Sequence, residues 1–214
     1  MARRTLPVTA AAFATMAALL LSACGGGDDS SSDDIKGADT GASSPSASAS
    51  ASASSDVKRP KITIPSSFQL TFADWTSSDA AKQAVLNDAR EELRAGYAAI
   101  IADEPDGGEA TAFYTTKPGL LQAQQWIKTY TDKDLSVVGK LPVYDPKVIL
   151  AKEGVASLSY CTDESKAYSK ERKTGTVAGN PSGTDPKVSY TITIVRNEQG
   201  VWLTDTVHSQ RGGC

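Results

Sequence analysis

The apolar positions of this chain follow three successive patterns, and each predicts a different kind of structure. Near the N-terminus they are contiguous, running through Ala10, Ala11, Ala12, Phe13, Met16, Leu19, Leu20 and Leu21. From residue 25 to residue 59 they almost vanish, with Ile35 and Val57 the only large aliphatic side chains. Beyond residue 60 they become periodic, first with a helical spacing and then with a spacing of two.

The helical part comes first. Leu86, Leu93, Tyr97 and Ile100 recur at helical spacing with Ala89 beside them, and Ser77 or Ser78 serves as the expected N-cap. Asn87, Asp88, Glu91 and Glu92 then fall on the expected solvated face, while Arg90 lies nearer the apolar side with its stem packed. Gly96 is an oddity there, costing about 1 kcal/mol against Ala, and its use would be close packing. The Asp103-Glu104-Pro105-Asp106-Gly107-Gly108 run stops the helix. A second helix is expected from near Pro118, with Ala123, Trp126, Ile127 and Tyr130 on one face.

After Asp134 the period shortens. Residues 135–141, 147–150, 155–161, 188–195 and 201–207 read as strands, and Asn197-Glu198-Gln199-Gly200 joins the last two as an antiparallel hairpin. Residues 164–185 are polar and rich in Lys, Gly and Thr, which predicts a long loop with strand at most at its margins. Helices followed by consecutive strands indicate an α+β domain with its helices on one face of an antiparallel sheet.

The N-terminal apolar run follows Arg3 and Arg4 and ends in Leu21-Ser22-Ala23-Cys24. It is too short for a comfortable membrane span and has the flanks of a signal peptide. Its ending resembles a bacterial lipobox, which implies cleavage before Cys24 and a diacylglycerol on the Cys24 sulfur. An ordinary secretory signal with an incidental cysteine is the alternative. Arg3-Arg4 also fits a twin-arginine route, against which stands Pro7, so the export route stays open. The expected organisation is a signal peptide over 1–23, a Ser/Ala/Asp-rich disordered tether over 24–59, and a single domain over 60–214. As a flexible coil the tether would reach on the order of 30 Å, and fully extended about 115 Å.

Charge narrows the partners. The chain carries a net charge of -3, and loss of the signal removes Arg3 and Arg4 and makes it two units more negative. That balance argues against nucleic acid and against electrostatic docking on anionic lipids. The expected membrane affinity therefore comes from the acyl chains on Cys24, which places the protein on the extracytoplasmic face of the cell membrane.

Candidate chemistry is sparse. With Cys24 lipidated, Cys161 and Cys214 remain in an oxidising compartment, where one pairing is open to them. Such a disulfide would stabilise the fold by roughly 4 kcal/mol. A zinc site would need more ligands than two thiols and the single His208, and a nucleophilic thiol would want a histidine base. His208 reads as a half-exposed residue near a strand end, and Asp205 would reach it only across a bulge or at the strand's end. No catalytic, metal or cofactor constellation is evident.

A resemblance adds to this reading. Ala112-Phe113-Tyr114-Thr115-Thr116 before the second helix, Gly139 and Leu141-Pro142-Val143 in the first strands, Tyr160-Cys161-Thr162-Asp163, Gly200-Val201-Trp202 and the terminal Cys214 occur in that order. The chain resembles actinobacterial secreted lipoproteins whose domain is similar to the cone-shaped nuclear transport factor 2-like, or ketosteroid isomerase-like, proteins. The resemblance implies a pocket between sheet and helices, which Tyr97, Trp126, Tyr130 and Trp202 are candidates to line. The expected function is a membrane-anchored, non-enzymatic domain binding a small molecule or a protein. The alternative is a small pocket enzyme of isomerase or dehydratase type.

Overall fold

A computed structural model describes residues 57–214 apart from residue 153. The signal peptide, the proposed lipidation site Cys24 and the tether as far as residue 56 lie outside the described residues. The elements are β1 (Phe68–Phe72), α1 (Ala80–Ala102), α2 (Gly108–Phe113), α3 (Lys117–Thr131), β2 (Leu135–Leu150), β3 (Val155–Asp163), β4 (Lys166–Glu171), β5 (Val177–Ala178), β6 (Lys187–Arg196) and β7 (Trp202–Arg211).

All seven strands form one sheet, curled into a half-barrel with the helices against it. Its centre is β2. β3 pairs antiparallel with residues 143–150 of β2 and β4 with residues 135–140, so β3 and β4 run in succession along one edge of it. β1 lies parallel along the other edge, with Phe68 beside Gly139 and Phe72 beside Val143. Beyond β3 come β6 and then β7. The α+β class expected from the sequence, with the cone-shaped architecture that the resemblance implies, is what the domain has, and the helices precede every strand but β1.

Several expectations are corrected. The strands foreseen at 135–141 and 147–150 are one strand. Pro142 and Pro146 look like breaks in the sequence, but β2 continues through Pro142 and takes up Asp145-Pro146 as a bulge where its register with β3 shifts. Residues 164–185 carry strand at their margin as expected, in β4, but also the short β5 within the stretch read as loop, paired with β4. β1 and α2 are additions to the elements expected. α1 is capped by Asp79, whose carboxylate accepts from the N–H groups of Ala81 and Lys82 at 2.8 and 3.2 Å, rather than by Ser77 or Ser78. Ser77 instead supports the cap, its hydroxyl accepting from the Asp79 N–H.

Two buried clusters fill the space under the sheet. Trp75, Val85, Leu86, Val143, Leu158, Ile192, Ile194 and Trp202 make one, and Phe68, Tyr97, Ile100, Ile127, Val137 and Leu141 the other. Strand alternation decides which side chains enter them: on β3, Ala156, Leu158, Tyr160 and Thr162 are buried while Cys161 lies on the other face. There Cys161 meets Cys214 at disulfide distance, with the Cα atoms 6.2 Å apart, tying the C-terminus to the sheet.

The α1 face expected to be solvated is so only in part: Asn87 is exposed, but Asp88 is buried and Glu91 and Glu92 are half-buried. Asp88 is 2 % exposed, accepts from the backbone N–H of Trp202 at 2.9 Å and forms an ion pair with Arg59. Arg59 also lies over the Tyr114 ring, 5.8 Å from its centroid. The last residue assigned to the tether is therefore docked on the domain. Arg94 extends the contact by donating to the Ile62 carbonyl at 3.2 Å.

Candidate functional site: an aromatic cavity with a lone carboxyl

The cavity lies between α1 and α3 and the strands β3, β6 and β7. α3 is fastened to the edge of β7 at two points. The Thr116 hydroxyl donates to Asp205 at 2.7 Å, and the Gln122 side chain brackets Val207, donating to its carbonyl at 2.6 Å and accepting from its N–H at 2.9 Å. These bonds occupy an edge strand that would otherwise be free to pair with another chain. They fall around the register shift between Thr193 and Ile194, opposite Asp205. Asp205 is thus committed to α3, and His208 stands exposed on β7.

α1 approaches α3 closely because Gly96 has no side chain. A Cβ there would lie 2.7 Å from Cζ3 of Trp126, so the indole occupies the space that any larger residue would need. Close packing is therefore the use of this glycine. Trp126 in turn meets Tyr97 edge-on at 5.1 Å and Tyr130 at 6.1 Å. Across the space, Tyr160 of β3 and Tyr190 of β6 stack at 5.0 Å with ring planes 12° apart.

Between these groups lies a cavity of about 410 Å³. Leu93, Ala123, Val188 and Val207 supply its apolar surface, and Thr162, Thr204, Ser209 and Gln122 supply neutral polar groups. Of the four residues singled out from the sequence, Tyr97, Trp126 and Tyr130 line it. Trp202 does not. It packs in the core with Trp75 and Tyr160, and its backbone N–H is held by Asp88.

Two acidic residues also face this space. Glu164 is paired with Arg211 at 2.7 Å, both on the cavity wall. Glu92 is different. It lines the cavity from α1, and its carboxyl has no hydrogen bond or ion pair with any described residue. Glu92 is half-buried, on the cavity wall. Desolvation alone pushes its pKa up to about 7.

The phenols keep their protons. Burial raises Tyr97 and Tyr160 well above the usual value and raises Tyr130 as well. Tyr190 is pushed up to about 12, chiefly by burial and also by the neighbouring Glu164 carboxylate. The wall thus carries neutral phenols and an indole together with one carboxyl poised near neutrality. Such a group can take or give a proton, or balance a positive charge. Among the described residues no three His, Cys, Asp or Glu side chains converge to hold a metal ion.

Sequence reasoning misses Glu92 because it reads as part of a charged run. A signal is present nonetheless. The residues three and four away along the helix are Asp88, Ala89, Ala95 and Gly96, mostly small, which marks a face against which something packs.

No protein-family model matches the chain, and no curated protein is significantly similar to it. Among solved structures, Aln2 from a Streptomyces species is similar at 14% identity and a TM-score of 0.42, covering 58% of this chain and 88% of its own. A protein from Catenulispora acidiphila is similar at 9% identity and a TM-score of 0.42, covering 62% of this chain and 95% of its own. A ketosteroid isomerase-like protein from Erwinia carotovora atroseptica is similar at 12% identity and a TM-score of 0.39, covering 61% and 95%.

Proposed function

We propose that this protein is an extracytoplasmic lipoprotein whose domain binds a small amphipathic molecule. Signal cleavage after residue 23 and lipid on Cys24 would anchor it in the cell membrane, and the tether would hold the domain away from the bilayer. The observation that carries the binding reading is the cavity of about 410 Å³ walled by Tyr97, Trp126, Tyr130, Tyr160 and Tyr190. Its volume falls in the range of small-molecule sites, and its mixture of rings with a few polar groups is what such sites use.

The binding reading is tested with a neutral lipophilic fluorophore such as Nile red, titrated into the full chain. Binding that quenches tryptophan emission, and that is lost in Ala123→Trp, which fills the cavity, is the expected result. Absence of binding, or binding untouched by that substitution, overturns it. The anchor has its own test. Cys24→Ala should release the protein from the membrane or leave an uncleaved precursor, and a processed variant that stays membrane-bound as before would refute the lipoprotein assignment.

One observation favours a second reading, in which the domain is a small pocket enzyme of isomerase or dehydratase type. A cavity lined only by apolar groups would offer no proton transfer, whereas Glu92, poised at about 7, suits a general base or acid at neutral pH. Neutral tyrosine hydroxyls on the same wall could donate hydrogen bonds to an oxyanion. A cavity ligand that Glu92→Gln still binds but no longer converts would establish this reading.

A further inference from the structure

The cavity has one charge with nothing to balance it. Arg211 is neutralised by Glu164 at 2.7 Å. Asp88, one turn before Glu92 on α1, is held by Arg59 and by the Trp202 N–H. Glu92 alone faces the cavity without a partner among the described residues. It does so amid aromatic rings from α1, α3 and the sheet. Tyr97 and Trp126 meet edge-on at 5.1 Å, Trp126 meets Tyr130 at 6.1 Å, and Tyr160 stacks on Tyr190 at 5.0 Å from the sheet side.

We infer that the cavity takes an organic cation, an amine or quaternary ammonium on an apolar body, with Glu92 as its counter-ion and the surrounding rings as its cage. The inference rests on the binding reading above and adds the chemical class of the ligand. Ring faces carry negative potential and attract a desolvated cation, most strongly at Trp. A buried carboxylate is costly when alone and favourable when a matched charge reaches it. One ligand charge answers both features. The cavity is larger than an ammonium head, so Leu93, Ala123, Val188 and Val207 are left to hold the apolar remainder.

A pH signature follows. The titratable groups that share the cavity wall with Glu92 are Tyr97 on α1, Tyr130 on α3, Tyr160 on β3, Tyr190 on β6 and the Glu164–Arg211 pair, and Asp88 lies one turn away on α1, held by Arg59 and the Trp202 N–H. The phenols are raised and stay neutral, and the other two carboxylates are paired. Glu92 is therefore the group that changes charge near neutrality. Affinity for a permanent cation should rise as pH climbs through about 7 and then level off, because only the ionised carboxylate attracts it.

The experiment compares benzyltrimethylammonium with neopentylbenzene, which has the same shape without the charge, by tryptophan quenching of the full chain at pH 5.5 and 8.5. The expected result is about tenfold tighter binding of the cation at pH 8.5, with that preference shrinking at pH 5.5 and vanishing in Glu92→Gln. Equal binding of the two probes overturns the cation inference and leaves the binding reading in place. A cation preference that survives Glu92→Gln overturns the role of Glu92. Failure of both probes overturns the inference too, and Nile red in the same samples shows whether the binding reading falls with it.

Discussion

Asp88 and Glu92 stand one helical turn apart on α1, both turned into the protein, and only Asp88 has partners. Its carboxylate accepts from the Trp202 N–H at 2.9 Å and pairs with Arg59, so it joins the helix, the start of β7 and the segment entering the domain. Glu92 joins nothing among the described residues. Two carboxyls in one face of one helix are thus divided between holding the fold and facing the cavity.

Removing Asp88 should be expensive for the fold. Asp88→Ala strands the buried Trp202 N–H and frees Arg59, and should cost about 2–4 kcal/mol of stability. Asp88→Asn keeps an acceptor oxygen for the Trp202 N–H and should cost less. Urea unfolding of the three proteins checks the order, and equal losses for both variants would show that the hydrogen bond to Trp202 contributes little.

Glu92 should show the opposite sign. Its pKa rises from 4.5 when unfolded to about 7 when folded, so the folded protein holds that proton more tightly. The contribution of this group is therefore most favourable below about pH 4.5, declines as pH rises to about 7 and is constant above. Glu92→Gln removes the penalty and should stabilise the protein by about 1–3 kcal/mol at pH 8. The gain should be largely gone at pH 4.5. A variant less stable than the parent at pH 8 would mean that Glu92 has a structural partner.

The legible and illegible parts of this chain differ for a physical reason. Helix spacing in Leu93, Tyr97 and Ile100 and alternation in Tyr190, Ile192 and Ile194 report burial against one surface, so α1, α3, β6 and β7 can be read directly. β4 cannot, because its side chains are largely polar, and β5 cannot, because two residues, Val177 and Ala178, are too few to show a period; both strands exist through backbone pairing with β2 and with each other. The gap expected between residues 141 and 147 is absent because a bulge takes up Pro146 without ending the strand. In the site, the aromatic residues of α1 and α3 are legible as an apolar stripe. Trp202 is not separable from them, since alternation along β7 does not distinguish a core side chain from a cavity wall. Glu92 is hidden because a carboxyl beside a cavity and a carboxyl beside solvent look alike in one dimension.

The two paired cysteines should matter for stability more than for shape. Cys161 and Cys214 are 53 residues apart, and the crosslink restricts the unfolded chain over that whole loop. Reduction should therefore lower stability by about 4 kcal/mol, while the core under the sheet keeps the folded form. Mass spectrometry of the non-reduced protein should find no free thiol at either position. Far-ultraviolet circular dichroism before and after reduction should be nearly unchanged, and loss of the strand signal would mean that the crosslink is needed for folding itself.

Gly96 links packing to the cavity. In Gly96→Ala the new methyl carbon would meet Trp126 Cζ3 at 2.7 Å, too close to be tolerated without movement. Replacing Gly by Ala inside a helix favours folding by about 1 kcal/mol, whereas overpacking costs about 1–3 kcal/mol. The indole borders the cavity, so it has one direction in which to retreat, into the space of about 410 Å³. The two terms should then nearly cancel in stability while the cavity shrinks. Gly96→Ala is expected to unfold within about 1 kcal/mol of the parent, bind Nile red more weakly and show shifted tryptophan emission. Unchanged binding with a clear loss of stability would mean that α1 and α3 separate instead, and that Trp126 is fixed by Tyr97 and Tyr130 rather than free to move.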